Sequence, residues 1–558
     1  MSIVNEFKFI GQDERQRKYI LPESVSMIGG TVYNVDSLLV EKPLQIGLNE
    51  PDVTTLENGA DGEKAYVVLD FGKEIHGGIR LLCFSAVGTA YPHVRLTFGE
   101  SLSEVFSTVG EKGQTNDHAV RDMIVPVPSY SDQEWGQTGF RFVKVELQDA
   151  NAKLLFKTIP AVFIYRDIPY IGKFECDDPK INKIFETAVY TCHLNLQNYV
   201  WDGIKRDRLV WIGDMHPEML TTRSIFGPLD IVPRSLDFAK GQTPLPQYMN
   251  DMAAYSMWWL LIVRDYYYYT GDEKFIESEK DYFLELLKIF CDKVNDDGTD
   301  TIGNYFVDWP THDKTKAEIS GVRSLLRIAL QSGAEIAEHF GREKLAETAR
   351  YKADVLLKIS GEHEGQKQVA AFMSMAGMLS LEECEKVIKA SGEKGLSSYL
   401  LFYTLKELAK SDSESALELL KNYSYGMLDK GATTFWEDFD PSWAENTGNI
   451  TELPSDGLDD IHGDRGAYCY IGFRHSFCHG WASGAVPFLM EEIMGVHIVE
   501  KGCKKLVISP KMSGLKYIKG TYPTPYGPVD IHLEMKNEKV VSNIKAPREI
   551  EVLVKNAE

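Results

Sequence analysis

The chain has 558 residues, 44% hydrophobic and 25% charged, too long for one hydrophobic core and ordinary for a globular protein. Its formal charge of −22 excludes nucleic acid and an anionic membrane surface as partners, since both need a basic face. Eight scattered cysteines with no CxxC pair exclude a disulfide framework or a zinc ribbon and read as reduced, mostly buried thiols.

The opening stretch MSIVNEFKFIGQDERQRKY has no apolar core of a secretory signal. No apolar run reaches the ~18 residues of a membrane span. The expectation is a cytoplasmic protein whose substrates are already inside the cell.

Residues 1–172 read as β. AYVVLDFG, GIRLLCFSA, HVRLTFGE, DMIVPVP, FRFVKVEL and AVFIYRD are short runs rich in β-branched and aromatic residues, bounded by Gly, Pro and Asp. They predict an antiparallel β-sandwich that either binds sugar or buttresses its neighbour.

From 173 to 498 the pattern is helical. Asp177-Asp178-Pro179 is a start signal, and Ile181, Ile184, Phe185 and Val189 recur at helical spacing. MAAYSMWWLLIVRDYYYYTGD is apolar on nearly all sides, which predicts a buried helix ended by Gly271. Further helical segments separated by short Gly-containing breaks predict antiparallel pairs. Their number suits an (α/α)6 toroid; a helical solenoid is the rival, but no fixed repeat appears. Residues 499–558 return to β: KLVISPK, LKYIKGTYPTPYG, VDIHLEMKNEKVV and IEVLVKN predict a small domain capping the helices, open to completion by an N-terminal strand.

Four stretches carry candidate chemistry. WDGIKRDRLVWIGDMHPE (201–218) holds Asp202, Asp207 and Asp214 with Lys205, Arg206, Arg208 and two indoles. Carboxylates accept from hydroxyls, guanidinium groups donate, and an indole packs on the apolar face of a sugar ring. On one helix, Asp207, Trp211 and Asp214 would share a face, with Asp202 in the loop before it; Gly203, Gly213 and Pro217 weaken that helix and leave part of the stretch open to being loop, with the acids close together either way. A salt-bridged helix end is the bland alternative. GATTFWEDFDPSWAEN (431–446) interleaves Glu437, Asp438 and Asp440 with aromatics, which suits a sugar site or an amphipathic connector equally. RHSFCHGWASG (474–484) spaces His475 and His479 at i, i+4, but no third ligand closes a metal site, so buried hydrogen-bonded histidines are expected. Asp308 beside Trp309 pairs an acid with an indole once more. No Walker loop, GxGxxG or GxSxG elbow is present.

DGIKRDRLVWIGD, GATTFWEDFD and the late HGWASG together resemble the bacterial α-L-rhamnosidases, glycoside hydrolase family 78. LDFGKEIHGGI with VRLTFGE resembles the family's β-sandwich, and GCKKLVISPKMSGLKYIKGTYPTPYGPVDI its C-terminal β domain. The resemblance implies an (α/α)6 catalytic barrel and inverting hydrolysis of terminal α-L-rhamnosides from short glycosides, with no cofactor and no metal. It implies Asp207 as general acid and Glu437 as the base that activates water. It also implies Asp202, Arg206, Trp211, Asp214, Trp436 and His479 as sugar-holding residues, with Trp258, Asp308 and Trp309 as further pocket residues. Many members carry glutamate where this chain has Asp207, one methylene shorter. A related enzyme for a different sugar, a catalytically inactive sugar-binding protein and a structural helical scaffold are the competing readings. The sequence leaves the assembly open between a monomer and a homodimer.

Overall fold

The structure is a computed structural model that describes residues 11, 13–60, 62–89 and 91–555. Residues 1–10, which carry part of the stretch read as lacking a signal, lie outside the described residues.

The N-terminal part forms a ten-stranded antiparallel sheet that branches at one long strand, Tyr66–Val87. AYVVLDFG and GIRLLCFSA are thus a single strand, broken in register at Asp70/Ile75 and Gly77/Ile79. Its first half pairs with Ser24–Gly29 and its last residues with Ala152–Thr158, while Ser131–Leu147 runs along both. The sheet therefore folds over a core that includes Val67, Leu69, Phe98, Phe140 and Val143. The sequence reading missed the strands Arg15–Ile20, Ser24–Gly29, Thr31–Tyr33, Thr54–Asn58 and Ala152–Thr158. The three N-terminal ones present mostly exposed or half-exposed residues, so they carry little apolar alternation.

The helical part begins as its start signal requires. Asp178 accepts from the Lys180 amide at 2.8 Å, and Pro179 occupies the first turn of Pro179–Asn195. Six helical hairpins follow in an (α/α)6 toroid. Pro179–Asn195, Ile231–Gln242, Glu273–Asp292, Glu343–Val355, Leu381–Lys389 and Ser413–Leu428 form the outer ring. The inner ring consists of Ile212–Ile225, Ala253–Thr270, Thr315–His339, Lys367–Met375, Leu401–Leu408 and a composite helix from Gly480 to Ile493. Each inner member packs on the next, and the composite helix closes the ring against Ile212–Ile225. Inner helices are buried almost all round, as the run ending at Gly271 predicts; Gly271 takes φ 66° and caps Ala253–Thr270 through the Tyr267 carbonyl. The composite helix passes from 3-10 through α to π geometry.

The C-terminal part holds two small sheets. Val496–Glu500, Lys505–Ile508 and Glu551–Val554 form one. The other is Lys173–Cys176, Tyr517–Tyr522, Val529–Lys536 and Lys539–Lys545. VDIHLEMKNEKVV is thus a hairpin, turned by Asn537 and Glu538, both at positive φ. The strand that completes the four-stranded sheet, Lys173–Cys176, comes from the segment leading into the first helix. All eight cysteines are free and seven are buried. No helix among the described residues is long and apolar enough to cross a membrane.

Candidate active site

Every loop that leads from an outer helix into an inner one opens at the same end of the ring. Four of these loops, together with the first turns of the helices they precede, line a cavity of about 570 Å³. That is the size of a small-molecule site. The inner helices turn their N-termini toward it, so their unpaired amides add positive potential where anions gather. A larger cavity of about 1080 Å³ lies between the first outer helix and the C-terminal sheet, away from the acid-rich loops.

The loop from Leu196 to Trp211 brings in the first group of acids. It does not continue the helix: Ile212–Ile225 starts only after Trp211, and Asp207 and Arg208 are left-handed at φ 53° and 57°. Of the two conformations open to this stretch, the loop is the one present up to Trp211, so Asp207, Trp211 and Asp214 share no helix face. The loop closes on itself instead. Leu209 donates to the Asp202 side chain at 2.9 Å, and the Asp202 amide donates to the Leu209 carbonyl at 3.1 Å. An aspartate tolerates the left-handed region better than most residues. Within that ring the Arg208 amide reaches the Arg206 carbonyl at 2.7 Å, a tight turn about Asp207.

The segment from Gly431 to His479 brings in the other acid. Gly431 turns the chain at φ 92°. Glu437 exchanges backbone contact with Ser476, donating to its carbonyl at 2.9 Å, and the Ser476 amide donates to Glu437 Oε2 at 3.2 Å. Gly480 donates to the Asp202 carbonyl at 2.7 Å, which stitches the two segments together.

Arg206 joins the pair. Its Nη2 lies 2.5 and 2.7 Å from the two Glu437 oxygens, and its Nη1 lies 3.1 Å from Asp207 Oδ1. Burial opposes its charge, but Glu437 and Asp207 outweigh that and hold its pKa above the ordinary value. His479 stands in the middle, with Nε2 at 3.5 Å from Glu437, 3.8 Å from Asp202 and 3.9 Å from Asp214. Burial, with Arg206 adding to it, keeps His479 well below its ordinary value and therefore neutral. Burial pushes Asp202 far above the usual carboxyl range, with Asp207 and Asp214 reinforcing it. It does the same to Asp214, against the hydrogen bond that Tyr255 donates at 2.9 Å. A carboxyl held neutral can both donate to and accept from a hydroxyl.

Aromatic rings complete the walls. Trp211 meets Tyr255 edge to face, Trp481 stacks on Tyr399 at 4.7 Å, and Phe306 and Trp309 stand at the mouth with Tyr468 alongside. Trp211 Nε1 and His479 Nδ1 are buried polar atoms with no hydrogen-bond partner in the protein, both on residues that line the cavity.

Eight of the expected site residues line this cavity: Asp202, Arg206, Asp207, Trp211, Asp214, Trp309, Glu437 and His479. Three do not. Trp258 is 3% exposed and packs among His216, Phe372 and Tyr403, because its inner helix turns that face into the ring core. Trp436, next to Glu437, points the opposite way and stacks on Phe477 at 4.0 Å. Asp308 caps the short turn Trp309–Thr311 and accepts from Gln368 at 2.9 Å, so it positions Trp309 from behind. His475 is not on a helix face with His479; it accepts from the Asp438 amide at 3.1 Å, and burial holds it neutral with a pKa of about 3.

Sequence reasoning missed Tyr255, Tyr470, Arg474, Trp481 and His118. Trp481 had a signal, two residues after His479 in the same motif. His118 had none: it comes from the N-terminal sheet domain, and its Nδ1 lies 3.0 Å from Asp207 Oδ1.

Comparison with known proteins agrees with this architecture. Residues 169–360 match the bacterial alpha-L-rhamnosidase six-hairpin glycosidase domain, and residues 495–555 match the bacterial alpha-L-rhamnosidase C-terminal domain. The first match contains Asp202 to Trp309; Glu437 and His479 lie beyond it. An alpha-L-rhamnosidase of Alteromonas sp. (strain LOR) is 22% identical over 461 residues, 73% of this chain and 47% of that protein. The chain thus spans about half the length of that curated relative. The family 78 rhamnosidase of Bacillus sp. GL1 superposes with a TM-score of 0.74 at 20% identity, over 94% of this chain and 55% of that one. The rhamnosidase of Klebsiella oxytoca, solved with rhamnose bound, superposes with a TM-score of 0.64 at 19% identity, over 86% and 96%. In its six-hairpin domain, its C-terminal domain and its fold, this chain is built as the bacterial α-L-rhamnosidases of glycoside hydrolase family 78 are.

Proposed function

We propose that the chain is an α-L-rhamnosidase that removes terminal α-L-rhamnose from short glycosides by inverting hydrolysis. The observation that carries the reading is Arg206, one guanidinium bridging Asp207 and Glu437 at the edge of a sugar-sized cavity. In the proposed reaction Asp207 gives its proton to the glycosidic oxygen as the bond to the anomeric carbon breaks. Glu437 takes a proton from a water that attacks that carbon on the opposite face. The aglycone leaves as an alcohol, and the two carboxyls finish with their proton exchanged. Arg206 holds both acids in place until substrate displaces part of its contact.

Asp202, Asp214, His479 and the Trp211 indole hold the sugar hydroxyls in this reading. The unpartnered Trp211 Nε1 and His479 Nδ1 support it, since both lack partners that hydroxyls supply. Trp211 and Trp481 offer ring faces to the apolar side of the sugar. The free cysteines support a reducing compartment, and we place the protein in the cytoplasm; fractionation with a tagged chain tests that.

The deciding experiment is hydrolysis of p-nitrophenyl α-L-rhamnoside with the first-formed product followed by NMR. β-L-rhamnose appearing first supports inversion, and α-L-rhamnose first overturns it. Rhamnose binding by calorimetry without hydrolysis of any rhamnoside would replace the enzyme reading with a sugar-binding one. A panel of aryl glycosides in which another sugar is cleaved faster would move the specificity to that sugar.

A further inference from the structure

Directly behind the loop that carries Asp207 lies a sealed group of charges that the proposed mechanism does not use. Glu100 and Glu104 come from the N-terminal sheet domain, Lys205 from the loop, and His462 from the long segment before the last inner helix. All four are essentially inaccessible to solvent. Glu100, Glu104 and His462 stand close enough to share a divalent cation, but the Lys205 ammonium stands among them. It lies 2.8 Å from Glu104 and 3.2 Å from Glu100, and it donates to the carbonyls of Phe473 at 2.8 Å and His475 at 3.0 Å. Arg121, fully buried, donates to the Lys205 carbonyl and adds a second positive charge nearby.

Glu100 has a second set of contacts. Its Oε2 accepts from the Phe477 amide at 2.7 Å, and its Oε1 from the Ser476 hydroxyl at 3.4 Å. Ser476 is the residue whose amide and carbonyl hold Glu437. One carboxyl therefore grips the loop of the acid through Lys205 and the segment of the base through residues 476 and 477. Burial pushes Glu100 up to about 7, with Lys205 opposing and Glu104 adding to the rise. Its own amide donates to Glu104 Oε2 at 2.7 Å, so its backbone is fixed as well.

We propose that Glu100 is a positioning residue that fixes the acid-bearing loop and the base-bearing segment relative to one another, so that the N-terminal sheet domain is a working part of the catalytic unit. The claim rests on the proposed rhamnosidase activity. Positioning alone is a large lever, since a misplacement of about 1 Å at reacting atoms costs on the order of 100-fold in rate.

The test is Glu100→Gln in the full chain, assayed on p-nitrophenyl α-L-rhamnoside well below its melting temperature. The amide keeps the shape and an acceptor for Phe477 but loses the charge that holds Lys205. We expect kcat to fall about tenfold or more, with KM and the Kd for rhamnose held within about twofold. A purely structural role lowers Tm and leaves kcat per folded molecule unchanged; that result overturns the proposal, as does an equal loss through KM alone. If Glu100→Gln does not fold, Glu100→Asp keeps the charge and withdraws it by one methylene. A reduced kcat at constant KM then supports the proposal, and a wild-type kcat overturns it. An inactive wild-type chain would instead remove the proposed activity, and the positioning role with it.

Discussion

Lys205 and Arg206 are consecutive residues, yet they serve opposite clusters. Arg206 faces the cavity, where Asp202, Asp207, Asp214 and Glu437 gather around one guanidinium and a neutral histidine. Lys205 faces away, into Glu100 and Glu104, with Arg121 beside them. Among these groups the cavity cluster has four carboxyls to one cation, and burial answers by pushing Asp202 and Asp214 toward their neutral forms. In the sealed cluster Lys205 and Arg121 answer Glu100 and Glu104, with the Glu74 carboxyl buried beside them. A site that must exchange partners with a ligand tolerates a large excess of acids over cations; a joint that must never open keeps its charges closer to balance.

The largest expected effect breaks the cavity cluster at its base. Glu437→Gln removes the group that takes the water proton and keeps a similar shape beside Arg206. Turnover of p-nitrophenyl α-L-rhamnoside should fall about 10²- to 10⁴-fold while rhamnose binding, followed by calorimetry, survives. Near-wild-type hydrolysis would take Glu437 out of the mechanism.

The next prediction sets the two cations against each other. Lys205→Met leaves Glu100 and Glu104 buried without their ammonium and should cost about 3–5 kcal/mol in urea unfolding. Arg206→Met uncovers acids that open onto a cavity, where water can enter, so its stability loss should be the smaller of the two while its activity is lost. Equal destabilisation by the two variants would erase the distinction between an open and a sealed cluster.

A smaller effect follows from the raised carboxyls. In the native state Asp214 keeps its proton at pH values where the unfolded chain has lost it, above its ordinary 3.8. The native state then binds more protons, so this group lowers stability as pH rises from about 4 toward its raised native value. Asp214→Asn keeps an oxygen for Tyr255 and has nothing to ionise. Its Tm relative to wild type should therefore climb across that range; parallel Tm curves would mean that the carboxyl does not titrate as burial demands.

The same contrast explains what the sequence reveals. The fold class was legible because inner helices are apolar all round, the outer ones carry start signals such as Asp178-Pro179, and Gly271 marks a clean stop. The acid loop was legible because its charges and indoles lie close in sequence. Its conformation was not: hydrogen bonds between Asp202 and Leu209 override the helical spacing of Asp207, Trp211 and Asp214. The joint at Lys205 was invisible, because its members come from three segments far apart in the sequence, Glu100 with Glu104, Lys205, and His462, and each looks like an ordinary surface residue in its own segment. His118 was hidden for the same reason.

Trp258 gives the smallest effect and the sharpest check on side-chain direction. The family resemblance places it among the pocket aromatics, whereas the structure buries it behind the site against His216 at 4.9 Å and Tyr403 at 5.2 Å. Removing part of a buried ring leaves a void that neighbours fill only partly, at a cost of about 1–2 kcal/mol for a ring-to-ring change. Trp258→Phe should therefore lower Tm by a few degrees and leave KM for the rhamnoside where it was, because no atom of the indole meets the cavity. The inner helix holds its register through Tyr255, which keeps its hydrogen bond to Asp214 one turn earlier. A severalfold rise in KM at unchanged stability would return Trp258 to the sugar site and show that its helix turns when substrate binds.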